Sequence, residues 1–126
     1  MYTDVVSHCA NDHSIWYNDL RFYKDDFGIL EKRLDEIAAA NTGKDVMTSV
    51  EHFQNQFIVQ KNNIDELLHS INIHNDKVAS DAKLHAGKME SGLQQEHERL
   101  RDQVGVLQKV VNDLRHEFNL FLTERM

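Results

Sequence analysis

The stretch VVSHCANDHSIW, Val5 to Trp16, brings His8, Cys9, Asp12 and His13 within six positions. Imidazole, thiolate and carboxylate all ligate borderline cations such as Zn²⁺, so the first question is whether such groups converge or simply decorate a helix. Two further motifs bear on it. ELLH, Glu66 to His69, and DLRH, Asp113 to His116, carry the carboxylate-x-x-His spacing of di-iron helical bundles. Their phase speaks against that chemistry, since Glu66 and His69 fall between the apolar positions Ile64, Leu67 and Ile71, and a di-iron core needs carboxylates from four helices. Axial haem ligation by a pair such as His13 and His74 lacks an accompanying C-x-x-C-H attachment sequence. There is no glycine-rich phosphate loop, no nucleophile elbow, and no serine or cysteine placed convincingly beside a base, which points away from an enzyme.

The elements that must position these residues are helices. The chain has no proline, and its glycines stand only at 28, 43, 87, 92 and 105. Tyr2, Val6, Cys9, His13, Trp16, Leu20, Tyr23, Phe27, Leu30, Leu34 and Ile37 recur at alternating steps of four and three, which is a heptad seam. It stops at AAANTGKD, where Asn41 or Gly43 suits a left-handed C-terminal position, and Thr42 with Asp45 has capping-box spacing for the next helix. A second seam runs Val46, Val50, Phe53, Phe57, Gln60, Ile64, Leu67, Ile71, His74 and Val78. A third runs Leu93, His97, Leu100, Val104, Leu107, Val111, Leu114, Phe118 and Phe121, with Ser91 and Gln94 spaced as its cap. The spacing predicts one all-α domain over residues 1–126, with helices at 3–41, 44–84 and 92–124 packed as an antiparallel up-down-up bundle in coiled-coil fashion. A first helix starting near Asp12 is the alternative. Gly28 and Gly105 lie off the seams and are expected to mark close helix contacts.

Each seam is interrupted by one histidine: His13, His74 and His97. Folding at the first turn sets His13 beside residues near 72, and folding at the second sets His74 near 97 to 102, so the three rings can share a layer. With Cys9 one turn before His13 they offer a site for Zn²⁺ or another transition metal, with Asp12 or Asp102 as a ligand or as an orienting carboxylate. The plain alternative is a hydrogen-bonded polar layer with no cofactor. Gln60 reads as a register-setting polar residue, and the other histidines as solvated faces.

A net charge of −7, with Lys and Arg scattered among acids, disfavours nucleic acid. No apolar run reaches the roughly 20 residues of a membrane span, and no secretory signal is visible, so a cytoplasmic location is expected. The lone Cys9 leaves no intramolecular disulfide.

The segment RLDEIAAANTGKDVMTSVEHFQNQFIVQKNNIDELLHSI, Arg33 to Ile71, with LRDQV and LRHEFNLFL further on, resembles a group of small, uncharacterised bacterial helical proteins. That resemblance implies a bacterial, cytoplasmic helical protein and carries no activity with it. From the residues themselves the leading expectation is a non-enzymatic helical interaction protein, with a histidine-cluster metal binder as the alternative. Tyr17 and Phe22 fall outside the first seam and add to the apolar surface of a helix already carrying Tyr2, Trp16 and Tyr23. This predicts a homodimer or a protein partner docked on the first helix, unless the rings widen the internal core.

Overall fold

A computed structural model of the chain describes residues 2–84 and 91–125, with side chains over 6–83 and 91–125. Three helices make it up: α1, Tyr2–Ala40; α2, Lys44–Leu84; and α3, Ser91–Arg125. No strand occurs among the described residues. The first helix begins at Tyr2, not near Asp12. The 39 residues of α1 and 41 of α2 make rods about 60 Å long at ~1.5 Å per residue.

The turn between α1 and α2 is three residues long. Asn41 closes α1 twice over, its backbone N–H donating to the Ile37 carbonyl at 3.0 Å and its side-chain Nδ2 to the same oxygen at 2.9 Å. Gly43 does not take the left-handed conformation that the sequence suggested for it. Met47 N–H donates to the Gly43 carbonyl at 3.0 Å, so α2 is wound from its first turn. The expected second turn, near HAGKMESG, lies outside the described residues.

Side-chain pairing shows the helix directions. Between α1 and α2, Lys24 meets Asp65 at 2.7 Å and Glu31 meets Lys61 at 2.8 Å, so one number rises as the other falls. Between α1 and α3 the numbers rise together: Asp12 faces Arg101 at 3.4 Å, Asp19 accepts from Gln108 at 3.3 Å, and Asp26 faces Arg115 at 2.8 Å. These pairs form a polar ladder with a rung every seven residues. This is the up-down-up bundle that the three seams predict.

Most seam residues pack as one core, with Cys9 and Val78 in a smaller cluster of their own. Phe27, Phe57, Phe118, Leu20, Ile64, Val50 and Val111 are fully buried. The phenylalanines concentrate at the end away from the histidines, where Phe57 lies 5.2 Å from both Phe27 and Phe118, centroid to centroid, and Phe53 lies 5.1 Å from Phe121. Leu34 belongs to this core, whereas Leu30 is half-buried against it. Gln60 is buried and accepts a hydrogen bond from Asn63 Nδ2 at 3.2 Å. The glycine expectation fails: a methyl group added at Gly28 or Gly105 would meet nothing within 4 Å, and both positions are exposed.

Candidate functional site

Heptad phase alone carries His13, His74 and His97 inward, one from each helix, and the helix directions set them at one level. All three are buried, at 4%, 0% and 5% exposure. His13 faces Asn75 and His74, a shift of two or three residues from the position expected near 72. Above the layer stand Trp16, Ile71 and Leu100; below it Cys9, Val78 and Leu93. The rings contact one another edge-on or tilted, with centroids 5.0 Å apart for His13 and His74, 5.1 Å for His13 and His97, and 5.4 Å for His74 and His97. Trp16 covers His97 at 4.8 Å.

Each imidazole has one nitrogen on an oxygen outside the cluster. His13 Nδ1 lies 2.9 Å from Asn75 Oδ1, His74 Nε2 donates to the Leu93 carbonyl at 2.9 Å, and His97 Nε2 donates to Asp12 Oδ2 at 2.8 Å. Of the second nitrogens, His13 Nε2 and His74 Nδ1 share one hydrogen bond at 2.9 Å. His97 Nδ1 is buried with no hydrogen-bond partner. One ring nitrogen from each histidine falls within 4.8 Å of the others.

Burial disfavours charge on His13 and, with the nearby rings of His74 and His97, outweighs its hydrogen bond to Asn75, so its pKa lies below the ordinary 6.5. At Asp12 burial works toward protonation, but hydrogen bonds from His97 and Arg101 and the charge of Arg101 hold the carboxyl below 3.8. A groove between α1 and α2, lined by Ala10, Ser14, Tyr17, Asn72 and Asn75, borders His13.

The other candidate residues lie elsewhere. Cys9 is buried one turn away against Val78, outside the group of three converging nitrogens, and burial followed by the charge of Asp12 pushes its thiol up. Asp102 is exposed on a groove between α2 and α3. Glu66, His69, Asp113 and His116 are exposed, which removes the di-iron reading. His13 and His74 are in hydrogen-bonding contact, which leaves no room for a macrocycle between them. His8 and His52 are exposed as well, and His85 lies outside the described residues. Asn75 and the Leu93 carbonyl went unrecognised in the sequence. Their one signal was position, Asn75 beside a seam histidine and Leu93 one turn before another.

The apolar surface of α1 divides in two. Tyr17 and Tyr23 are half-buried against the core, widening it. Ile15, Phe22 and Ile29 are exposed at 49%, 58% and 61%. A seven-residue spacing aligns these three along the outer face.

A scan against protein-family models, a search of curated proteins and a search of solved structures each gave no match to this chain.

Proposed function

We propose that the chain is a non-enzymatic helical interaction module that pairs through the outer face of α1 with a second copy of itself. The stripe of Ile15, Phe22 and Ile29 carries this reading. Its residues repeat every seven positions, the period with which helices pack along a common seam. The stripe is also symmetric about Phe22. A two-fold axis through Phe22 therefore sets Ile15 of one copy against Ile29 of the other, the self-complementary contact of a closed dimer. On the side of the stripe toward α3, Asp12 and Asp26 are paired with Arg101 and Arg115 and Asp19 accepts from Gln108, so two of the three charges on this acidic row are compensated before a second copy approaches. We assign the module to the cytoplasm, where a lone thiol such as Cys9 stays reduced.

Sedimentation equilibrium at micromolar concentration tests the proposal. The expected mass is twice the 14.7 kDa of one chain, falling to the monomer in Phe22→Ser. Val106→Ser, at a residue 66% exposed on α3 and off the stripe, should leave the dimer intact. A monomeric mass in the unaltered chain, or equal dissociation by both variants, rejects the reading.

A further inference from the structure

We propose that His13, His74 and His97 form a binding site for one borderline divalent cation of the Zn²⁺ class, with Asp12, Asn75 and the Leu93 carbonyl orienting the three imidazoles from outside. The argument starts from which nitrogens are already committed. His13 Nδ1, His74 Nε2 and His97 Nε2 each point to an oxygen acceptor outside the cluster, at 2.9, 2.9 and 2.8 Å. A neutral imidazole that donates through one nitrogen presents a lone pair at the other. The remaining nitrogens are therefore electron-pair donors: His13 Nε2 and His74 Nδ1, 2.9 Å apart, and His97 Nδ1.

Lone pairs that close repel unless something positive lies between them. A single proton satisfies one pair and no more. In this structure His13 Nε2 and His74 Nδ1 stand at the distance one such proton would bridge, and His97 Nδ1 is left buried and unpartnered. A cation satisfies all three at once. Outer oxygens on the far nitrogen are also the arrangement that fixes tautomer and ring orientation in histidine-ligated metal sites, and the Asp12 carboxylate on His97 is its strongest form.

The donor set names the class of ion. Three neutral imidazoles with no thiolate suit Zn²⁺, Co²⁺, Ni²⁺ or Cu²⁺ and are a poor match for Ca²⁺ or Mg²⁺, which take oxygen. Zn–N bonds of about 2.0–2.1 Å in tetrahedral geometry put ligand nitrogens roughly 3.3 Å apart. The pair at 2.9 Å must open slightly, and separations of up to 4.8 Å must close. A groove over His13 and Asn75 brings solvent to one edge of the cluster.

The test uses the full chain without a histidine tag, titrated with Co²⁺ and Zn²⁺ alone. Expected are one Co²⁺ per chain, visible absorption of a four-coordinate ion, and its displacement by Zn²⁺. His97→Leu should weaken binding at least 100-fold while circular dichroism shows the helices intact, because leucine suits a buried seam position and the loss is one ligand and one hydrogen bond to Asp12. Asp12→Asn should weaken binding roughly 10- to 100-fold through lost orientation. Asp12 is at the rim of the layer, so this variant decides the matter if His97→Leu does not fold. Replacing the exposed His8, His52, His69 and His116 by Gln should leave affinity unchanged. The proposal is overturned if the folded chain takes up no Co²⁺ or Zn²⁺ at micromolar concentration, if Asp12→Asn binds as tightly as the parent, or if binding disappears with the four exposed histidines.

Discussion

Asp12 Oδ2 stands 2.8 Å from His97 Nε2, a contact that joins α1 to α3 at the level where the three imidazoles meet. It is one of two groups at this level whose titration ties the fold to pH. A carboxyl whose folded pKa lies below its unfolded value of 3.8 contributes stability above that value, lost as pH falls through the folded pKa. His13 acts in the same direction. Its folded pKa lies below 6.5, so in the unfolded chain the ring gains a proton before it does in the fold, and acidification below 6.5 favours unfolding. Denaturant midpoints should be flat from about pH 8 to 7, decline from about 6.5 downward, and decline again below about 4. A midpoint that rises between pH 7 and 5 contradicts the His13 assignment, and one that stays flat below about pH 4 contradicts that of Asp12.

Gly28 and Gly105 are helical, exposed and free of neighbours at the place a methyl group would occupy. Gly28→Ala and Gly105→Ala should each stabilise the bundle by about 1 kcal/mol, because alanine has less backbone freedom to lose on folding. Thermal or urea unfolding measures the gain. A loss of stability at either site means that something packs there.

Phe57 and Phe118 are each 0% exposed and touch edge to face at 5.2 Å. Truncating either to alanine should cost about 3–5 kcal/mol. The two share one packing site, so the double variant should differ from the sum of the singles, by about 0.5–3 kcal/mol. Additive losses in urea denaturation indicate that the rings do not pack together.

Trp16 is the chain's single tryptophan, 8% exposed, with its ring tilted 32° over His97. Its emission should be blue-shifted relative to the denatured chain and should fall on addition of Cu²⁺, a quencher that acts at close range. His97→Leu should abolish that fall. Equal quenching in parent and variant places the ion elsewhere.

Much of this arrangement was legible in the sequence because heptad spacing is a physical constraint on which side chains face inward. Phe53, Phe57, Val104 and Phe118 were assigned to the core by position alone and are buried there. His13, His74 and His97 stood out as polar interruptions of the same pattern. The limits are just as physical. Spacing fixes an angle about the helix axis but leaves the axial offset between helices free by a residue or two, so Asn75 could not be singled out as the partner of His13. A glycine has no side chain to reveal its surroundings, and open space at Gly28 reads in sequence just as a tight contact would. Tyr17 and Phe22 are both aromatic residues off the seam, and only their angular positions separate the half-buried ring from the exposed one.

The ladder between α1 and α3 repeats every seven residues, and so do the apolar seams beneath it. A periodic contact cannot count its own repeats. Slide α3 by one heptad and Asp12 meets Gln108 while Asp19 meets Arg115, two rungs restored. What does not survive the slide is the histidine level, since Val104 would stand where His97 now reaches Asp12, leaving polar rings against an aliphatic wall. With one such residue per helix, the layer serves as an index mark at one end of that scale, and the contact of Phe57 with Phe118, which the same slide would break, marks the other.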